Sequence, residues 1–120
     1  CIRDRPYCGR LRDLLIGSAR ELGYGAVEKA VYAATQGPRL ETAAEIDRLE
    51  QDGCSIVGMT GMPEAVLARE LELCYATCAV IANRAAGRAE GPIRMDDIRS
   101  NLVNGMSKVY SLLQKTIPMA

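Results

Sequence analysis

Three short stretches of this sequence set polar side chains beside residues that reverse the chain. They are TQGPRLET at 35–42, GMTGMPE at 58–64 and ANRAAG at 82–87. Each follows an apolar run. CAVIA (78–82) is apolar to its end and then delivers a carboxamide, Asn83, and a cation, Arg84. Polar side chains of these types make hydrogen bonds. The chain has no histidine, so a Ser–His or Cys–His catalytic pair is excluded. Its five cysteines, Cys1, Cys8, Cys54, Cys74 and Cys78, are odd in number and irregularly spaced, with no CxxC. That argues against a zinc site or other metal centre, and against a disulfide framework. It favours buried reduced thiols in a cytosolic protein. From spacing alone, the three stretches are either strand-to-helix turns with their caps or three contributors to one cleft of unstated content.

For such turns to meet, the intervening elements must bring them to one edge. The 120 residues, 48% apolar and 25% charged, suffice for one small α/β domain with a modest core. Fifteen basic and fifteen acidic residues cancel, which leaves no electrostatic footprint for nucleic acid. No apolar run reaches membrane-spanning length, and no signal peptide is visible. Leu11, Leu14, Leu15, Ala19 and Leu22 have helical spacing over 9–22, closed by Gly23. AVEKAVYAAT (26–35) reads as a strand. Thr42 and Glu45 form a capping-box pair that opens a helix ending near Gly53. CSIVGMT (54–60) is a short apolar strand, and Pro63 marks a first helical position. LCYATCAVIAN (73–83) reads as the most buried strand, apolar on both faces. Ile98, Leu102, Met106, Val109 and Leu113 form one stripe of a last helix over 95–114. The alternation predicts an α/β fold, a parallel or mixed sheet flanked by helices. Ligand sites in such sheets lie outside the carboxyl ends of the strands, where all three polar stretches fall. The opening CIRDRPYCG has neither cap nor periodicity and reads as the middle of a longer chain.

YAATQGPRLETAAEI, DGCSIVGMTGMPEAVLARELELCYA and CAVIAN resemble the trimeric purine nucleoside phosphorylase and methylthioadenosine phosphorylase family over roughly residues 6–118. The GPR-x-x-T-x-x-E and G-M-T-x-x-P-E turns, in this order, carry the likeness. The resemblance implies a phosphorylase-type α/β fold and places residues 1–120 in the carboxyl-terminal part of one such domain. It implies phosphorolysis of a purine nucleoside, with inorganic phosphate as co-substrate and no cofactor. It also implies a homotrimer at full length and a cytoplasmic location. The family's phosphate loop belongs to the amino-terminal half, so these 120 residues alone are expected to be inert. Without that half, they are expected to expose apolar surface.

The same resemblance assigns roles by position. Asn83 falls at the purine-recognition position, where its amide would donate to O6 and accept from N7–H of a 6-oxopurine. Adenine-using relatives carry aspartate there and a second aspartate at the position of Ala85. Leu40 falls where a residue packs on the purine face, usually phenylalanine; leucine keeps the apolar contact without the aromatic stacking. Glu41 falls at the N1 edge, Met59 at the ribose 2'-hydroxyl through its backbone amide, and Thr60 at phosphate. Val57 and Gly58 form the wall of that turn. Met95, Ile98 and Leu102 match an apolar row that accepts a 5'-methylthio group, where hydroxyl-accepting relatives have histidine at the position of Met95. S-methyl-5'-thioinosine is the substrate this pattern implies, with inosine or guanosine next and methylthioadenosine third. A noncatalytic interaction module is the alternative outside enzymes. Arg39, Glu45 and Glu64 are expected to secure turns and helix starts.

Overall fold

The computed structural model describes residues 5–120; Cys1 and the expectations for it lie outside the described residues. The elements are α1 (Gly9–Glu21), β1 (Tyr32–Ala34), α2 (Ala43–Gln51), β2 (Ile56–Gly58), α3 (Gly61–Glu70) and α4 (Met95–Thr116), then a single 3₁₀ turn (Ile117–Met119). β1 and β2 pair in parallel, with Tyr32 opposite Ile56, Ala33 opposite Val57 and Ala34 opposite Gly58. Parallel neighbours need a crossover, and α2 supplies it. Regular dihedrals in α3 begin at Pro63, as its sequence predicts. Met62 before it is extended, at φ −123° and ψ 138°, the conformation a following proline favours.

Three helices end alike. Gly23 N–H donates to Arg20 O and Tyr24 N–H to Ala19 O; Gly53 N–H donates to Glu50 O and Cys54 N–H to Leu49 O. Both glycines have positive φ, the Schellman arrangement in which a left-handed residue closes the last turn. α3 closes the same way, through Glu72 N–H to Arg69 O and Leu73 N–H to Ala68 O. Its left-handed residue is Glu72, at φ 58°.

The structure corrects four expectations. The strand foreseen over 26–35 shortens to Tyr32–Ala34. Residues 73–83 carry no strand assignment. The Tyr75 carbonyl accepts from Cys8 N–H (2.7 Å) and the Ala82 carbonyl from the Asn101 side chain (2.8 Å). These are single bonds to α1's entry and to α4, not a ladder, and Ile81 is exposed. Cys8 and Cys74 are joined in a disulfide, 66 residues apart, where reduced thiols were expected. The segment after α3 returns beside the start of α1, with the Tyr7 and Tyr75 rings stacked at 6.2 Å, a proximity that spacing does not reveal. Cys54 and Cys78 are free, Cys54 half-buried and Cys78 exposed.

The fourth correction concerns α4. Leu112 and Thr116 are its buried residues, with Ile98, Gly105 and Val109 half-buried. Gly105 lies inside because the Val80 side chain takes the space a Cβ would need. Met106 and Leu113 are instead exposed. α1 packs on α4, joined at the rim by Lys115–Glu21 at 2.7 Å. The radius of gyration is 15.4 Å, against about 13.6 Å for a compact domain of this length. Accordingly, large apolar side chains stay exposed, among them Leu71, Val103 and Tyr110.

Glu72 generates a prediction. A left-handed L-residue costs about 1–2 kcal/mol, and glycine returns about 0.5–1 of that as backbone entropy lost on folding. Glu72→Gly should therefore stabilise the protein by roughly 0.5–1 kcal/mol. A urea midpoint that stays put or falls would contradict this.

Candidate active site

The parallel register sets the ends of β1 and β2 side by side. Thr35 N–H extends it, donating to Gly58 O at 2.9 Å. The turns beyond the two strands therefore share one rim. Gly37 has φ +64°, and a Cβ there would lie 2.5 Å from Met59 Sδ, so Met59 rests directly on the first turn. Tyr32 ties β1 to the second turn. Its hydroxyl accepts from the N–H groups of Thr60 and Gly61, both at 3.3 Å. It fills the space where a side chain on Gly58 would begin.

The GPR turn is braced by charge. Arg39 makes a two-pronged contact with Glu45, Nη1 to Oε2 at 2.8 Å and Nη2 to Oε1 at 2.7 Å. Glu45 Oε2 also accepts from Thr42 N–H at 2.7 Å and the Thr42 hydroxyl at 3.0 Å. The expected capping box is complete, with Glu45 N–H donating to Thr42 Oγ1. Glu41 lies inside this frame, accepting from the Thr35 hydroxyl at 2.6 Å. Glu64, in the first turn of α3, accepts from the Tyr75 hydroxyl at 3.0 Å and so anchors the segment leading to Asn83.

The turns enclose a cavity of about 460 Å³, within the usual range for small-molecule sites. Leu40, Glu41, Val57, Gly58, Met59 and Asn83 all line it. Its other walls come largely from Ile46, Leu49, Ile56, Val80 and Ile81, with Ala85 near Asn83. Asn83 is half-buried. Its Nδ2 donates one proton to Arg84 O at 2.7 Å, which orients the amide and leaves a second N–H and the carbonyl oxygen for a ligand. Thr60, Met95, Ile98 and Leu102 are not among the lining residues. Thr60 is exposed at the entry to α3, and Met95 is exposed at the start of α4. A smaller cavity of about 130 Å³ adjoins, lined by Thr35, Gln36, Gly37, Arg39 and Glu41 among others.

Sequence reasoning missed Arg88. Its guanidinium meets Asp47 at 2.9 Å and also Glu50, which fastens the loop after Asn83 to α2. Gly87 sits against Ala43 in the same seam. The R-x-x-x-R-x-E pattern of the loop gave no sign of this, because the partners lie on another element. Among the described residues, no group of three or more His, Cys, Asp or Glu is placed to hold a metal. No described helix is long and apolar enough to cross a membrane.

A half-enclosed, largely apolar cavity beside the strand ends of a parallel α/β unit, with the Asn83 carboxamide, the Glu41 and Glu50 carboxylates and the Arg84 and Arg88 cations on its wall, has the form of a small-molecule site. The sequence pattern of the phosphorylase superfamily matches residues 2–118, and the chain belongs to that superfamily. It is 53% identical over 112 residues to a probable S-methyl-5'-thioinosine phosphorylase of Pseudomonas syringae pv. tomato, covering 93% of this chain and 46% of that relative. It is 43% identical over 112 residues to a probable 6-oxopurine nucleoside phosphorylase of Thermococcus kodakarensis, covering 93% and 42%. In fold it is similar to methylthioadenosine phosphorylase from Schistosoma mansoni in complex with adenine. That match has a TM-score of 0.90 at 24% identity and covers 98% of this chain and 47% of that one. The chain spans less than half the length of these relatives.

The brace has a pH signature. Arg39's hydrogen bonds, then those of the Thr42 backbone and hydroxyl, hold the Glu45 carboxyl well below the usual carboxylate range. A depressed folded value stabilises above the unfolded value of about 4.3, and the gain is lost as pH falls through the folded value. Glu45→Gln should therefore lower the urea midpoint at pH 7, with the deficit shrinking steadily as pH drops below about 4. A deficit independent of pH would contradict the assignment.

Proposed function

We propose that the full-length protein cleaves a 6-oxopurine nucleoside by phosphorolysis, with S-methyl-5'-thioinosine as the preferred substrate. A phosphate oxygen bonds to C1' of the sugar while the C1'–N9 bond breaks. The electron pair of that bond passes into the purine. The products are hypoxanthine and S-methyl-5-thioribose 1-phosphate. Charge develops on the leaving base, so fixed dipoles placed there lower the barrier. Asn83 is assigned that role. Its remaining N–H donates to O6, and Oδ1 accepts from N7–H once N7 is protonated. Glu41 accepts from N1–H, Leu40 covers the purine face, and the Met59 backbone meets the ribose against Val57 and Gly58. Thr60, Met95, Ile98 and Leu102 do not line the cavity; the family resemblance alone assigns Thr60 to phosphate and the other three to the methylthio end. Phosphate is a co-substrate, no cofactor takes part, and the working form is a cytoplasmic homotrimer.

One observation carries this reading: Asn83, Glu41 and Met59, from three separate turns, share one cavity. Ala85 on the same wall offers no acceptor for a 6-amino group. The names of the Pseudomonas syringae relative and its like favour the methylthio substrate. The 6-oxopurine nucleoside phosphorylase relatives favour inosine or guanosine as the second reading.

The test is phosphate-dependent release of base by the full-length enzyme from methylthioinosine, inosine and methylthioadenosine. Methylthioinosine should give the highest kcat/KM. Asn83→Asp should move the 6-oxo to 6-amino ratio toward adenine by about 10- to 100-fold, since a mismatched buried polar edge costs roughly 1–3 kcal/mol. The 120-residue chain alone should give no turnover. Base release without phosphate, or an unchanged ratio in Asn83→Asp, would overturn the proposal.

A further inference from the structure

Thr35 lies one residue beyond β1, and its two polar groups point to different duties. Its backbone N–H is bonded to Gly58 O at 2.9 Å, which fixes the residue to the sheet. Its hydroxyl has a single proton and two acceptors within reach, Glu41 Oε1 at 2.6 Å and Gly58 O at 3.5 Å. The shorter distance is that of an O–H···O⁻ hydrogen bond to a carboxylate, and the longer is at the limit for any hydrogen bond. The proton therefore goes to Glu41. Residue 35 is half-buried, so water competes weakly for it.

Glu41 needs such a restraint. It lines both the large cavity with Asn83 and the small one with Arg39. The Arg39 guanidinium, engaged with Glu45, also feels the charge of Glu41. A glutamate has three side-chain torsions, and an unrestrained one would swing toward that cation. The Thr35 bond uses one carboxylate oxygen and fixes the direction of the other.

We propose that Thr35 is a positioning residue for base specificity, its hydroxyl holding Glu41 as an oriented acceptor for a purine that bears a proton at N1. This rests on the reading of Glu41 given above. A 6-oxopurine has N1–H and gains from an aimed carboxylate. A 6-aminopurine presents a lone pair at N1 and gains nothing. Losing the restraint therefore weakens one class of substrate and spares the other.

The experiment uses the full-length enzyme with methylthioinosine and methylthioadenosine. Thr35→Val, nearly isosteric, should lower kcat/KM for methylthioinosine by about 10-fold, the worth of one charge-assisted hydrogen bond. The loss should fall mainly on KM, with methylthioadenosine changed less than about twofold. Thr35→Ser, which keeps the hydroxyl, should stay near the parent. In a Glu41→Ala background, Thr35→Val should add nothing, because the two act as one unit. If Thr35→Val does not fold, Thr35→Ala replaces it in the same cycle. An unchanged substrate ratio, or losses that multiply in the double variant, overturns the role of Thr35 while leaving that of Glu41 standing. If Glu41→Ala alone leaves methylthioinosine turnover intact, the reading of Glu41 fails, and this inference with it.

Discussion

The parallel pairing of Tyr32–Ala34 with Ile56–Gly58 is the constraint on which the rest of the site depends. Two three-residue strands are a weak sheet by themselves, and their importance here is geometric. With Ala34 opposite Gly58 and Thr35 N–H bonded to the Gly58 carbonyl, both chains leave the sheet at one level and in one direction. A one-residue slip would reverse every side chain on one strand and would take Val57 and Met59 off the wall they share with Glu41. Tyr32 guards the register. Its hydroxyl reaches across to the N–H groups that open α3, and Gly58 and Gly61 leave room for the ring because neither has a side chain.

The composition of the first turn follows from that close approach. Gly37 takes a left-handed conformation beneath the Met59 thioether, where any Cβ would meet sulfur. Beyond it the chain must turn back into α2 within a few residues. Arg39, Thr42 and Glu45 close that path on themselves with two-pronged and capping hydrogen bonds. Glu41 lies between residues that are all held, and its carboxylate is held in turn from the sheet side. A pre-set acceptor loses little freedom when a ligand arrives, which is how a few polar groups in an apolar cavity can discriminate between closely similar bases.

The sequence disclosed the elements whose causes are local. Thr42 and Glu45 predict a capping box and Pro63 a helix start, because each acts on backbone within one turn. The first two polar turns could be placed at strand ends by order alone, and the cavity gathers six of the residues assigned to the site. Properties that depend on distant partners were not legible. Cys8 and Cys74 have no spacing that marks a pair, and only the return of the chain past α1 brings them together. Hydropathy ranks Met106 above Gly105 as a core residue of α4, yet Val80 needs the room that only glycine gives. Arg88 looks like a solvated loop cation until α2 supplies Asp47 and Glu50. Where Met95, Ile98 and Leu102 stand relative to the cavity is likewise set by how α4 packs and not by their helical spacing.

The third turn reaches the site by a different route. Residues 73–83 have no ladder with β1 or β2 among the described residues, so the sheet does not place Asn83. Its position comes from the helices. Tyr75 bonds to Glu64 and accepts from the entry of α1, Val80 sits in the gap at Gly105, and the Ala82 carbonyl accepts from Asn101 on α4. Beyond Asn83, Arg88 pins the loop to α2. The Cys8–Cys74 disulfide and the bond from Cys8 N–H to the Tyr75 carbonyl tie the start of the segment to the entry of α1. The carboxamide proposed to meet the charge of a leaving base is thus placed by the helices. The carboxylate proposed to read the N1 edge is tied to the end of β1 through Thr35. The two proposed duties fall to contributors positioned by different parts of the fold, one by the helices and one by the sheet.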